Sequence, residues 1–111
     1  MHANKLAIQL RYDSYKNRWE LSTNTDEGTL VLGIRHDWSK EPDDFTVELW
    51  DEGTFFRMEE DYIAYVADCQ ERDEAVPNNI APMPDWIKDL VLQMKMKWEA
   101  LNMLAAFEVT M

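Results

Sequence analysis

Thirteen carboxylates stand between positions 41 and 74: Glu41, Asp43, Asp44, Glu48, Asp51, Glu52, Glu59, Glu60, Asp61, Asp68, Glu71, Asp73 and Glu74. Only Arg57 and Arg72 oppose them, so the segment carries a charge of −11. That equals the net charge of the whole 111-residue chain, whose remaining nine acids and nine bases cancel. Carboxylates in such number can ligate cations, act as acid–base pairs, or present a field to a partner.

Ca²⁺ and Mg²⁺ prefer oxygen ligands, but the chain has no D-x-[DN]-x-[DN]-G loop, and zinc would lack its thiols and imidazoles. The pairs Asp43/Asp44 and Glu59/Glu60 are sequence neighbours, and adjacent side chains diverge on a helix, which makes a poor chelate. No metal and no cofactor is expected.

Catalysis finds equally little. His2 and His36 are far apart, and His36, which Asp37 would orient as a base, sits in an ordinary loop sequence, RHDWS. Ser14, Ser22 and Ser39 lack a nucleophile-elbow setting. Gly28, Gly33 and Gly53 form no phosphate-cradling loop. Cys69 lies among Asp68 and Glu71, neighbours that raise a thiol's pKa and disfavour the thiolate. No catalytic residue is assigned.

The charge itself remains. A charge of −11 disfavours nucleic acid and anionic lipid as direct partners and favours a basic protein. Asp73 and Glu74 close a helix where its dipole prefers cations, and Glu71 and Glu74 are like charges three residues apart. Charge kept against stability implies a use. Duplex DNA carries one negative charge per ~1.7 Å of axis, so thirteen carboxylates on one surface would match on the order of six base pairs. Such a surface can occupy the basic cleft of a nuclease or of a DNA- or RNA-binding protein. Acidic immunity proteins and phage-encoded anti-defence inhibitors of host nucleases resemble this in type.

The elements that must carry these residues divide the chain in two. Residues 1–58 read mainly as strands. In KLAIQLRY, Leu6, Ile8, Leu10 and Tyr12 alternate with polar or small residues, the period of a half-buried strand. RWELST puts Trp19, Leu21 and Thr23 on one face, TLVLGIRH points Leu30, Leu32 and Ile34 inward, and FTVELW does so with Phe45, Val47 and Leu49. A short TFFRM follows. DSYKN, NTDEG and DEG are turns too short for crossover helices, so the strands form an antiparallel meander of four or five. Residues 59–75 read as a helix opened by three acids, residues 76–84 as a proline-rich extended connector, and residues 85–108 as a second helix with Pro84 before it. The fold class is α+β, one domain over residues 1–111, with the long C-terminal helix packed on the sheet.

On that last helix, Ile87, Leu90, Val91, Met94, Trp98, Leu101 and Ala105 form one apolar stripe at about 100° per residue. Leu92, Met96, Met103 and Phe107 form a second, nearly opposite. The first must cover the sheet. The second is covered either by the first helix or by another copy of the chain, where it would be a homodimer seam.

These readings converge on a small acidic, non-catalytic inhibitor or adaptor. It engages a basic partner through Asp43, Asp44, Glu48, Asp51, Glu52, Glu59, Glu60 and Asp61, with Trp50, Phe55 and Tyr62 as aromatic anchors within that rim. A homodimeric structural or accessory subunit is the alternative, and a small carboxylate enzyme the third. A single cysteine permits no internal disulfide and fits a cytoplasmic setting. With no run of ~18 apolar residues, no membrane span is expected.

Overall fold

The computed structural model describes residues 7–35 and 44–110, with side chains as far as residue 102. Along the chain run β1 (Gln9–Asp13), β2 (Arg18–Thr25), β3 (Gly28–Arg35), β4 (Asp44–Leu49), β5 (Thr54–Arg57), α1 (Glu59–Glu71), β6 (Ile80–Pro82) and α2 (Asp85–Thr110). The strands make one six-stranded sheet in sequence order. All neighbours are antiparallel except β5 and β6, which are parallel. The architecture is α+β, as the alternation and the short turns require.

Register explains the core. Leu21, Leu32, Val47 and Phe56 occupy one cross-strand row, and Leu30 with Leu49 and Ile34 with Phe45 occupy the rows beside it. All point to the inner face, because side chains alternate along a strand. Onto that face α2 lays Ile87, Val91, Met94 and Trp98, all buried. The helix crosses from the β6 side toward the other edge: Lys95 lies 4.6 Å over the Phe45 ring on β4, and Trp98 meets Trp19 on β2 at 6.2 Å.

The structure departs from the sequence reading in four places. The connector at 80–82 is a strand: Phe55 N–H donates to Asn79 O at 2.7 Å, and Met83 N–H donates to Arg57 O at 2.8 Å. Pro82 is tolerated there because β6 is an edge and needs no donor on its free side. Second, the first helix stops at Glu71 and not at 75. Asp73 turns into the left-handed region at φ 55°, while Glu74 N–H donates to Cys69 O and Asp73 N–H to Gln70 O. That double bond is a Schellman closure. Third, β1 is not half-buried throughout. Ile8 packs against the core, but Leu10 is 42% and Tyr12 46% exposed, because β1 is an edge strand. Leu6 lies outside the described residues.

The fourth departure concerns α1. It does not cover the second stripe of α2: Leu92 is 59% and Met96 60% exposed. Instead α1 packs at the β5–β6 corner. Arg57, on the face opposite Phe56, stacks its guanidinium 4.4 Å over Tyr65. The two helices therefore sit on opposite faces of the sheet, and α1 buries only Cys69 fully. Met103 and Phe107 lie on the helical backbone of α2, but their side chains are outside the described residues.

Candidate functional site

On the outer face of the sheet, one carboxylate is fully buried. Glu20 is 0% exposed, directly across the ladder from Arg11 and two residues from Arg18 on its own strand, so all three side chains share a face. Arg11 Nε donates to Glu20 Oε1 at 2.8 Å, and its Nη2 lies 2.6 Å from the same oxygen. Arg18 Nε and Nη2 donate to Oε2 at 2.9 and 2.7 Å. Burial acts to raise the carboxyl's pKa, but the Arg18 and Arg11 hydrogen bonds, with both guanidinium charges, outweigh it and hold the value below the ordinary 4.5. Arg18 then reaches onward, donating from Nη1 to Thr46 Oγ1 at 3.0 Å and lying 3.6 Å from Glu48. Each buried charge is thus matched, the condition under which a buried ion network is tolerated.

Around this neutral centre the acids of the middle third stand differently. Asp44, Asp51, Glu52, Glu59, Glu60 and Asp61 are all exposed, as are Asp68, Glu71 and Asp73 farther along. None of these nine makes an ion pair among the described residues. The nearby cations are engaged elsewhere: Arg57 over Tyr65, and Arg72 with Glu74 at 3.6 Å.

The expected partner-binding residues fall in two clusters along the chain. Asp51 and Glu52 sit in the turn before β5, whereas Glu59, Glu60 and Asp61 open α1 just after it. Four residues of strand, about 13 Å, separate them. Asp44 and Asp61 come together on the rim of an open cavity of about 560 Å³ whose walls include Phe45, Phe56, Met83 and Val91, with Arg57 and Lys95 beside them. Glu48 is half-buried and tied to Arg18. Among the aromatic anchors, Phe55 is exposed on the outer face and Tyr62 is half-buried on α1. Trp50 is half-buried beneath cations, with Arg11 at 5.1 Å and Lys16 at 5.9 Å from its ring. Asp43 lies outside the described residues, as do His36 and Asp37, the pair of the enzyme reading.

One acidic surface is the outward side of α1. At 100° per residue, Glu60, Ala64, Ala67 and Glu71 fall opposite the buried Cys69, with the exposed Ile63 and Asp68 flanking them. The helix has three acids in its first turn and no base in its last. Reading the sequence missed the Glu20 network. Its one signal was the i, i+2 pair Arg18 and Glu20, facing away from Trp19 and Leu21, and such a pair on a polar strand face usually signifies only hydration.

Among the described residues, no group of three or more His, Cys, Asp or Glu side chains could hold a metal ion, and no helix is long and apolar enough to cross a membrane. No protein-family model, no curated protein and no solved structure matches the chain.

Proposed function

We propose that the protein is a non-catalytic acidic binding protein that engages the basic surface of a nuclease or nucleic-acid-binding protein, taking the place of nucleic acid there. One observation carries this reading. The fold neutralises its interior carboxylate completely while leaving nine carboxylates between positions 44 and 73 exposed with no ion pair among the described residues. A folded chain that interleaved its charges would avoid this self-repulsion. The outward face of α1 is the centre of the binding surface, with Ile63 as its apolar contact and Glu60, Asp68 and Glu71 as its charges. Asp44 and Asp61 extend it at one end. The compartment assigned is the cytoplasm, supported by the lone, buried and unpaired Cys69.

The test is capture from a lysate of the source cell on immobilised protein, washed at rising salt and then challenged with duplex DNA. A nucleic-acid-binding protein released by DNA is expected, and the variant Glu60→Lys/Glu71→Lys should not retain it. Equal retention by the reversed variant overturns the reading.

A further inference from the structure

The two edges of the sheet are not alike. β6 is three residues long and contains Pro82, and it lies on the acidic side of the molecule. Shortness and proline are the usual devices that stop an edge from pairing with another chain. β1 has neither. It runs five residues, Gln-Leu-Arg-Tyr-Asp, without proline or lysine, and its one cation, Arg11, is bound to Glu20.

The inner face at this edge is also unfinished. Leu10 stands across from the fully buried Leu21, and Tyr12 across from Trp19, so both belong to the core rows, yet both are exposed. The helix that should cover them does not end there. Trp98 has already reached β2, one strand inside the edge, and strands are about 4.8 Å apart. At about 1.5 Å per residue, the twelve residues from there to Thr110 carry α2 about 18 Å farther, well past β1. By sequence those twelve residues are EALNMLAAFEVT, with two charges, Glu99 and Glu108.

We infer that the protein dimerises about a two-fold axis at the β1 edge, with β1 of each copy pairing antiparallel to β1 of the other and each overhanging α2 roofing the other copy's Leu10 and Tyr12. A second copy fits this edge for three reasons. A register centred on Leu10 opposes Leu10 to its own symmetry mate, Ile8 to Tyr12, and Gln9 to Arg11, with no like charges facing each other. The same two-fold operation supplies the roof to both copies at once, as a closed isologous contact requires. The charge permits the approach here: residues 1–35 carry five cations against four carboxylates, whereas residues 41–74 carry the entire excess of −11. Leu92 and Met96, also exposed, are neighbours one turn apart on α2, but Lys88, Asp89, Lys95 and Glu99 all fall within about 60° of Leu92 at 100° per residue, so charges border that face.

Such a dimer has one twelve-stranded sheet with the acidic α1 faces at its two ends, on the order of 50 Å apart. It is independent of the acidic-partner reading, since the variants that test it alter no carboxylate.

Light scattering between about 1 μM and about 1 mM should give twice the 13.2 kDa of one chain. Leu10→Lys places an inward charge on the edge strand and should halve the mass while the circular-dichroism spectrum and thermal midpoint stay near those of the parent. Leu10→Cys should cross-link under mild oxidation, because directly opposed residues of an antiparallel pair have Cα atoms about 4.5–5.5 Å apart, within disulfide reach. Leu92→Cys should not. The inference is overturned if the protein is monomeric throughout, if Leu10→Lys remains a folded dimer, or if Met96→Glu dissociates the dimer and Leu10→Cys fails to cross-link. Should Leu10→Lys fail to fold, the Leu10→Cys result decides alone.

Discussion

Gly33 lies directly across the β2–β3 ladder from Glu20, and the absence of a side chain at Gly33 is what lets Arg18 cross the outer face to Thr46. A Cβ at Gly33 would come within 2.6 Å of both Arg18 Nη1 and Thr46 Oγ1. The glycine is there for clearance. The guanidinium that neutralises Glu20 uses the space.

Gly33→Ala should therefore destabilise the fold by about 1–3 kcal/mol, the range for forcing extra volume into a packed site. In an Arg18→Ala background the penalty should shrink, since only the rotatable Thr46 hydroxyl remains in the way. A double-mutant cycle by urea unfolding measures this coupling; additive costs would mean that Gly33 serves the backbone alone.

Glu20 makes stability fall in acid. Its folded pKa lies below the ordinary 4.5, so its contribution is fully present above that value and is lost as pH falls through the folded one. Denaturation midpoints should hold from neutrality to about pH 5 and then drop. Glu20→Ala, which leaves the arginines facing an unmatched buried site, should cost about 3–5 kcal/mol near neutrality and flatten the acid limb.

Asp73 occupies the left-handed position of the α1 closure, where glycine is the relaxed choice and where the helix dipole disfavours a carboxylate. Asp73→Gly should stabilise the protein by about 0.5–1 kcal/mol, read as a thermal midpoint about 2–4 °C higher. No increase would show that the strain at this residue is already relieved.

On the partner surface, Glu60→Lys with Glu71→Lys should leave stability nearly unchanged, because the exposed Glu71→Lys gains from the dipole at a last turn without a base about what Glu60→Lys loses in the first turn. Association with a captured basic partner should slow several-fold at low salt, with dissociation changed less, because steering acts on encounter. Stopped-flow or biosensor traces at two ionic strengths check this.

How much of this was legible in the sequence depended on whether a strand had two unlike faces. β2, β3 and β4 do, and their inward residues, from Leu21 to Leu49, are those the alternation selects. β6 lies between prolines with no alternation to read; the free edge of β5 makes it a strand. Helical spacing shows that Leu92 and Met96 form a stripe but not what meets it, so the packing of α1, through Tyr65, against Arg57 of β5 was invisible. The acids' exposure was legible and their arrangement was not. The β4–β5 turn reverses the chain, and Asp51 and Glu60, close in sequence, end at opposite ends of a strand. Trp50 read as an anchor because its covering cations, Arg11 and Lys16, come from the far side of the sheet.

The placement of α1 has a kinetic consequence. Beyond the β5–β6 corner the helix has little to hold it, and Cys69 is its one fully buried side chain. The β2–β4 meander, by contrast, carries the core that α2 covers. Segments with so little burial open on their own, well below the free energy of global unfolding. Amide exchange in α1 and β6 should thus proceed while β3 remains protected. The chain's only thiol reports that event: under native conditions a thiol reagent should modify Cys69 at the rate at which the acidic helix lifts from the sheet and long before the sheet itself comes apart.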